Sequence, residues 1–256
     1  MLFKAKSIKN FKLTGMDGDV GKVKEFFFDD LFWTVRYLVV DTGNWLTGRT
    51  VLISPYAIQS INDDDERIMT NLSKEQIENS PSLESDLPVS RQYEDNYFGY
   101  FGYPKYWYGS LMWGTSPYIA RDSKEWETTD EQQSKGDSNL RSTKDVSGHD
   151  IQATDGEIGH VDDFIIDEET WAIRYLVIDT QNWWAGKKVL VSPRWIRRIS
   201  WDEKNVYVNL SRERIKSSPE YSDDMILSRD YETSLHSYYN QSGYWTEETA
   251  GRNRTY

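Results

Sequence analysis

Cysteine is absent from this chain of 256 residues. Its absence excludes disulfide bonds, thiolate nucleophiles and cysteine-ligated metals, and it is typical of proteins kept in a reducing compartment. Histidine is also scarce, with 3 residues, at positions His149, His160 and His236. Two or three histidines without cysteine make a poor zinc site, so we expect no bound metal.

Long hydrophobic runs are missing as well. No stretch approaches the roughly 18 to 20 apolar residues that a membrane span requires, and the mean hydropathy is −0.74. The N-terminal segment, residues 1–10, lacks the continuous apolar stretch of a secretion signal. We therefore expect a cytoplasmic protein without a membrane span.

Positive charge is under-represented, because 30 Lys and Arg face 42 Asp and Glu and the formal net charge is −12. Broad contact with nucleic acid or with an anionic membrane requires clustered basic residues. Arg194, Arg197 and Arg198 make one segment locally basic, but Asp202 and Glu203 interrupt it. We therefore expect no nucleic-acid partner.

What the chain does contain is a duplication. Residues 33–46 read WTVRYLVVDTGNWL and residues 171–184 read WAIRYLVIDTQNWW. Further pairs at the same offset are DGDVG and DGEIG, VLISP and VLVSP, and SRQYE and SRDYE. Register kept without a gap over so long a span indicates a tandem repeat, whose halves are called the first and second copy below.

Each copy is predicted to be all-β. The Asp-Gly pairs at Asp17 and Asp155 are hairpin signals, and the following segments are rich in β-branched and aromatic residues. About six short strands with tight turns favour a small closed or nearly closed barrel in each copy. A short helix is predicted after the strands of each copy; in the first, Ser73 and Gln76 form a capping box.

The expected domains are a first barrel at 1–94, an aromatic-rich segment and polar linker at 95–143, a second barrel at 144–232, and a C-terminal tail at 233–256. The aromatic segment, residues 93–113, is dense in Tyr, Phe, Gly and Trp, and a weaker echo follows the second copy. It would either form an interaction surface or cover its own barrel. Residues 121–147 are polar and are predicted to be a flexible linker.

The strand that follows Trp33 is apolar on both faces, and so is its counterpart after Trp171. A half-exposed antiparallel strand would alternate more cleanly, so we expect its outer face to be covered by the other copy, by the aromatic segment or by a second chain. The candidate interaction surface consists of Arg36, Leu38, Val40, Arg174, Leu176, Ile178, Trp45, Trp183, Trp107 and Trp113.

Other polar residues have structural explanations beside functional ones. The corners at residues 41–45 and 179–183 would line a small groove or, as is more usual for Asp and Asn, shape a turn. Arg36 and Arg174 lie within apolar strands and need an acidic partner, which predicts an ion pair inside each copy; anion binding is the alternative. The acidic run at residues 63–66 lacks the spacing of a calcium loop.

No catalytic constellation stands out. The sequence has no Gly-rich phosphate loop, no Ser-His-Asp order and no repeated pair of carboxylates suited to acid–base chemistry. The three histidines correspond to Phe11, Lys22 and Phe98 in the first copy, which disfavours a duplicated histidine site. We expect no enzyme activity and no cofactor.

The combination of an Asp-Gly-x-Ile/Val-Gly motif, the Trp-x-x-Arg-Tyr-Leu-Val strand and the Val-Leu-x-Ser-Pro motif resembles the PRC-barrel domain, over residues 5–94 and 143–232. That domain is similar to the cytoplasmic part of the photosynthetic reaction-centre H subunit and to the C-terminal domain of a ribosome maturation factor. The resemblance implies a bacterial protein with two small all-β barrels that serve as adaptor or assembly modules, without catalysis.

Three functions follow as expectations. The first is protein–protein assembly with a partner of unknown identity, accompanied by self-association across the covered strand face. The second, implied by the H-subunit likeness, is an accessory role in photosynthetic electron transfer. The third is association with the ribosome or RNA, which the net charge of −12 disfavours.

Overall fold

The computed structural model describes residues 1–83, 89–109, 111–114, 139–180 and 187–246. These residues fall into two compact units. The first unit takes the described residues within Met1, Phe3–Val146 and Phe164–Arg174, and the second takes those within Leu2, Ser147–Asp163 and Tyr175–Tyr256.

Strands dominate the described chain. In chain order they are β1 (Leu2–Lys4), β2 (Lys12–Gly15), β3 (Gly18–Asp29), β4 (Thr34–Asp41), β5 (Thr50–Ile53), β6 (Ile58–Asn62), β7 (Arg67–Thr70), β8 (Leu140–Ser142), β9 (Asp150–Ala153), β10 (Gly156–Asp167), β11 (Ile173–Asp179), β12 (Lys188–Val191), β13 (Ile196–Ser200) and β14 (Asn205–Val208). The α-helices are α1 (Lys74–Glu78), α2 (Arg91–Phe101), α3 (Thr143–Val146), α4 (Arg212–Lys216) and α5 (Arg229–Tyr238). Short 3-10 turns at Pro55–Ala57 and Pro193–Trp195 follow the two Ser-Pro motifs.

The first sheet has seven strands, ordered β5-β4-β3-β2-β7-β6, with β8 paired to β3. The ladder between β2 and β7 is parallel and the other ladders are antiparallel. The hairpin from β2 to β3 turns at Met16-Asp17, and Gly18, the first residue of β3, has φ 132°. The hairpin that the Asp-Gly motif predicts is therefore present, with the Gly of the motif at the start of β3.

The second sheet repeats the order as β12-β11-β10-β9-β14-β13, with β1 paired to β10. Its β9–β14 ladder is again parallel. The seventh strand of each sheet is therefore distant in sequence from the ladder that it joins. β8 forms where a polar linker is predicted, so the end of that predicted linker is regular structure.

Closed barrels are not confirmed. In each sheet the hydrogen-bonded order is an open path, with β5 and β6 at the two ends of the first and β12 and β13 at the two ends of the second. The described chain is mostly β, as predicted, with short helices after the strands. In the first sheet the 3-10 turn at Pro55–Ala57 connects the two end strands, β5 and β6, which do not pair with each other in the described chain.

The central strand β4 is covered on both faces, as its sequence predicts. Residues 34–40 are all buried, whichever side of the sheet they face. Leu38 pairs with Phe26 on β3 and with Ile53 on β5, so apolar strands flank it on both sides. Burial of this kind stabilises each large apolar side chain by about 1.5–3 kcal/mol.

Two glycines keep the backbones close together where β3 and β10 begin. A Cβ at Gly21 would lie 2.2 Å from the Asp41 carbonyl oxygen, and one at Gly159 would lie 2.0 Å from that of Asp179. Gly159 also has φ +139°, which a side chain disfavours. The last Gly of the repeated Asp-Gly-x-x-Gly motif is thus required because another backbone segment lies too close for a side chain.

Serines begin the helices. Ser73 caps α1 with the predicted capping box, in which its side chain accepts from Gln76 and the Gln76 side chain accepts from the Ser73 amide. Ser90 and Ser228 cap the longer helices α2 and α5, which lie in or beside the aromatic segments and are not predicted from the sequence. The longest described helix, α2, has 11 residues, and no helix among the described residues is suited to crossing a membrane.

Replacing Gly21 or Gly159 by Ala is expected to destabilise the protein by more than about 1 kcal/mol, because the new methyl group collides with backbone. Gly159→Ala should cost more, since its φ is also unfavourable. The measurement is urea unfolding followed by tryptophan fluorescence.

The matched control is Gly99→Ala within α2, where a Cβ meets nothing within 4 Å. That change should leave stability unchanged or raise it by about 0.5–1 kcal/mol, because alanine favours a helix. Equal stability of the Gly159→Ala variant and the natural protein would contradict the role assigned to close approach.

Candidate functional site

A buried carboxylate lies at the centre of the first unit. Glu94, on α2, has 0% of its surface exposed. Its Oε1 accepts hydrogen bonds from the Tyr37 hydroxyl on β4 at 3.0 Å and from the Tyr106 hydroxyl at 2.6 Å. Its Oε2 accepts from Arg91 at 2.7 Å. One side chain therefore joins the sheet, the helix and the aromatic segment.

The second unit contains the same arrangement at the corresponding positions. Glu232 on α5 is 2% exposed and its Oε1 accepts from the hydroxyls of Tyr175 and Tyr244, each at 2.9 Å. Arg229 lies 2.9 Å from its Oε2. The Glu-Tyr-Tyr-Arg cluster is therefore part of the duplicated design.

Burial governs the protonation of these groups. It raises the pKa of Glu94 to about 7, against the opposing effects of Arg91 and of the two tyrosine hydroxyls. Burial also raises the pKa of Tyr37 and Tyr106 well above the usual value. Both phenols therefore stay protonated and act as donors, and the carboxylate has no exposed surface at which to meet a substrate.

Arg36 is buried beneath the aromatic segment. Its guanidinium pairs with Asp29 at 3.0 Å and lies 3.8 Å from the ring centroid of Tyr106 and 4.5 Å from that of Trp113. Arg174 pairs with Asp167 at 2.6 Å. The predicted ion pair within each copy is confirmed, and a buried pair of this kind is costly to break, by about 3–5 kcal/mol.

The aromatic segment covers its own sheet. The Tyr97 hydroxyl donates to the Leu52 carbonyl on β5 at 3.0 Å. The Trp113 indole donates outside this sheet, to the Thr170 carbonyl between β10 and β11, at 3.0 Å. Tyr97, Phe98, Tyr106 and Trp113 are all buried. Of the covers left open by the sequence, the aromatic segment is the one found over Arg36.

The outer rim of this segment forms a surface groove, called the aromatic groove below. Its volume is about 380 Å³, and it is lined by Asn71, Leu72, Gln76, Tyr100, Phe101 and Tyr103. Tyr100 is 44% exposed and its hydroxyl donates to the Gln76 carbonyl at 2.9 Å. Phe101 and Tyr103 stack with centroids 5.4 Å apart. The lining carries no charged side chain, which suits a neutral ligand surface.

The other predicted surface residues are mostly inside the protein. Leu38, Val40, Leu176 and Ile178 are each 0% exposed, so they belong to the cores of the sheets. Trp107 is half-buried with the Arg91 guanidinium 4.5 Å from its ring.

Two tryptophans belong to the predicted corners. Trp45 is half-buried beside the Lys74 ammonium, which lies 5.3 Å from its ring, and Trp183 lies outside the described residues. At the first corner the Asp41 carboxylate accepts from the Gly43 amide at 2.8 Å. This bond is the main cause that lowers the pKa of Asp41. The Thr42 hydroxyl donates to the Arg49 carbonyl at 2.7 Å, so these side chains shape a turn.

The histidines do not assemble into a site. His236 is buried, with Nε2 3.0 Å from the Tyr175 hydroxyl and Nδ1 3.0 Å from the Ser242 carbonyl. Burial lowers its pKa, which favours the neutral ring. Within the described residues no cluster of three or more His, Asp or Glu is arranged to hold a metal ion.

Sequence reasoning missed Glu94 and Glu232. The repeat itself could have indicated them, because each glutamate is the last residue of a repeated motif, SRQYE at 90–94 and SRDYE at 228–232. A repeated glutamate followed by aromatic residues is compatible with an exposed helix, and nothing local indicates its burial.

The protein is thus mostly β, with a seven-stranded sheet that occurs twice and a buried Glu-Tyr-Tyr-Arg cluster in each unit. The PRC-barrel domain family matches residues 1–77 and 140–215, more than half of the chain. The chain belongs to the PRC-barrel domain family, as the sequence motifs predict.

Among curated proteins, the chain is similar to an uncharacterized protein of Deinococcus radiodurans, with 35% identity over 75 residues. The match covers 29% of this chain and 26% of the relative. The chain thus matches about a quarter of the length of that relative, whose name assigns no activity.

The buried Glu94 predicts a distinct pH dependence. An acid whose pKa is raised on folding favours the folded state below its unfolded pKa, and this contribution is lost as the pH rises through the folded pKa of about 7. Glu94→Gln should therefore remove up to roughly 3 kcal/mol of the decline in unfolding free energy between about pH 4.5 and pH 7. The measurement is urea unfolding over that pH range.

Glu78→Gln, at an exposed position of α1, is the matched control and should retain the pH profile of the natural protein. Superimposable profiles of Glu94→Gln and the natural protein would show that Glu94 does not titrate on folding in this range.

Proposed function

We propose that this chain is a non-catalytic adaptor that assembles with another protein. The observation that carries the proposal is the position of its duplicated charged groups. Glu94 and Glu232 are sealed inside the units, where they hold aromatic side chains over the sheets. Groups that a catalyst would present to substrate are thus used for architecture.

The aromatic groove supports the same proposal as a contact surface. Tyrosine dominates binding hot spots because it combines a large apolar ring with a hydroxyl. Tyr100 is fixed by its bond to the Gln76 carbonyl, so little side-chain entropy would be lost on binding. The corresponding Tyr238 of the second unit donates to the Arg214 carbonyl at 2.8 Å.

We also propose a barrel architecture and a location for the protein. We take the two seven-stranded sheets to be the two barrels that give the family its name. We also propose a cytoplasmic location, which the lack of cysteine and of a long apolar segment in the sequence favours. Neither the electron-transfer role nor the RNA-associated role gains a specific observation from the residues that the structure describes.

The test is affinity purification of the full tagged chain from its own cells, compared with a groove variant. Tyr100→Ala with Asn71→Lys removes the exposed ring and places a charge in a neutral groove. A partner that binds there should lose at least tenfold in affinity, about 1.4 kcal/mol. Leu31→Ala, at a side chain 66% exposed and outside the groove lining, is the matched control.

Recovery of one protein with the natural chain and the Leu31→Ala control, but not with the groove variant, is the expected result. Equal recovery with all three would exclude the groove as the contact surface. Robust substrate turnover by the purified chain would contradict the non-catalytic proposal.

A further inference from the structure

The two units present equivalent sheet edges. β6 ends the first sheet and β13 ends the second, and no second strand pairs with either one among the described residues. Gln59 and Ser60 on β6 are exposed, and so are Arg197 and Arg198 on β13. An edge strand offers backbone donors and acceptors that another strand can pair with.

These equivalent edges carry opposite charge. On β13 and the turn before it, Arg194, Arg197 and Arg198 are exposed. The strand β6 has no charged residue and runs into the turn Asp63-Asp64-Asp65-Glu66, in which all the residues are exposed. The Asp65 side chain accepts from the Asn62 amide at 3.0 Å, which holds the acidic turn against the end of the strand.

Charges on an edge often serve to prevent pairing between chains. For that purpose like charges on both edges would suffice, and an acidic chain of net charge −12 would repel itself most with acidic edges. Here the edge strand of the second copy, β13, is basic, whereas that of the first copy, β6, is uncharged and precedes an acidic turn. Opposite charges on equivalent edges favour pairing of one edge with the other.

We propose that β6 of one chain pairs antiparallel with β13 of a second copy of the same chain. Register shifts lie between Ile58 and Ser60 and between Ile196 and Arg198, so the regular parts are residues 60–62 and 198–200. Antiparallel alignment of these parts sets Asn62 opposite Arg198.

The same alignment sets Asp63 opposite Arg197 and brings the rest of the acidic turn towards Arg194. A parallel alignment would instead bring the acidic turn next to Asp202 and Glu203, which like-charge repulsion disfavours. β6 and β13 are different surfaces of the chain, so a contact between them is heterologous, and association continues beyond two chains unless it closes into a ring.

This contact uses residues other than those of the aromatic groove, so it does not depend on the proposed function. It also differs from the route expected from the sequence, because Leu38, Val40, Leu176 and Ile178 are buried within the chain. The strands that pair between two chains are therefore the edge strands and not the covered central strand.

Analytical ultracentrifugation of the full chain at physiological ionic strength tests the proposal. At that ionic strength the Debye length of about 8 Å screens distant repulsion and leaves contacting charges less affected. The weight-average mass should rise with concentration above the 30.1 kDa of one chain, and high salt should lower it.

Two charge-reversed variants sharpen the test. Arg197→Glu with Arg198→Glu makes both edges acidic. Asp63→Lys, Asp64→Lys and Glu66→Lys together leave Asp65 as the one acidic residue of the turn, so both edges become basic. Each variant alone should remain at 30.1 kDa, whereas an equimolar mixture should associate again. Restoration in the mixture also shows that both variants are folded.

A constant mass for the natural chain at all concentrations would overturn the proposal, as would association of either variant to the same degree as the natural chain. RNA retention that depends on Arg197 and Arg198, without self-association, would also overturn it and assign the strand to phosphate. The groove change Tyr100→Ala should leave self-association intact, so loss of the groove partner and loss of edge pairing are distinguishable.

Discussion

The hydrogen bonds from two tyrosine hydroxyls to one buried carboxylate hold the first unit together. Glu94 cannot be buried as a charge without partners, because desolvation of a carboxylate costs several kcal/mol. Tyr37, Tyr106 and Arg91 supply those partners from β4, the aromatic segment and α2. The hydrogen bonds to Glu94 fix the helix and the aromatic segment on the sheet. The aromatic segment then covers Arg36 and leaves the aromatic groove on its outer side.

The duplication shows which parts of this arrangement are fixed and which are free to change. The Glu-Tyr-Tyr-Arg cluster and the Arg–Asp pair occur in both copies of the repeat with similar distances. Around them the copies differ: Phe98 in the first corresponds to His236 in the second, and Tyr56 corresponds to Arg194. The copies therefore differ beside the cluster and in the 3-10 turns that precede the edge strands, while the cluster itself is kept.

The sequence predicts the elements whose signals are local. Asp17-Gly18 predicts a hairpin, Ser73 with Gln76 predicts a capped helix, and apolar residues on both faces of β4 predict its burial. Features that depend on distant pairing are not predictable in this way. β8 joins β3 from a polar stretch that reads as a linker, and the burial of Glu94 depends on Tyr37, which lies on a distant strand.

The central claim is that the carboxylate cluster fastens α2 and the aromatic segment to the sheet. Hydrogen–deuterium exchange of a Tyr37→Phe variant tests it most directly, because that change removes one donor to Glu94 and leaves the ring in place. The account predicts faster exchange of the amides of α2 and of residues 103–107, with the β2–β7 ladder unchanged. Unchanged exchange in α2, or an equal increase throughout the first unit, would contradict it.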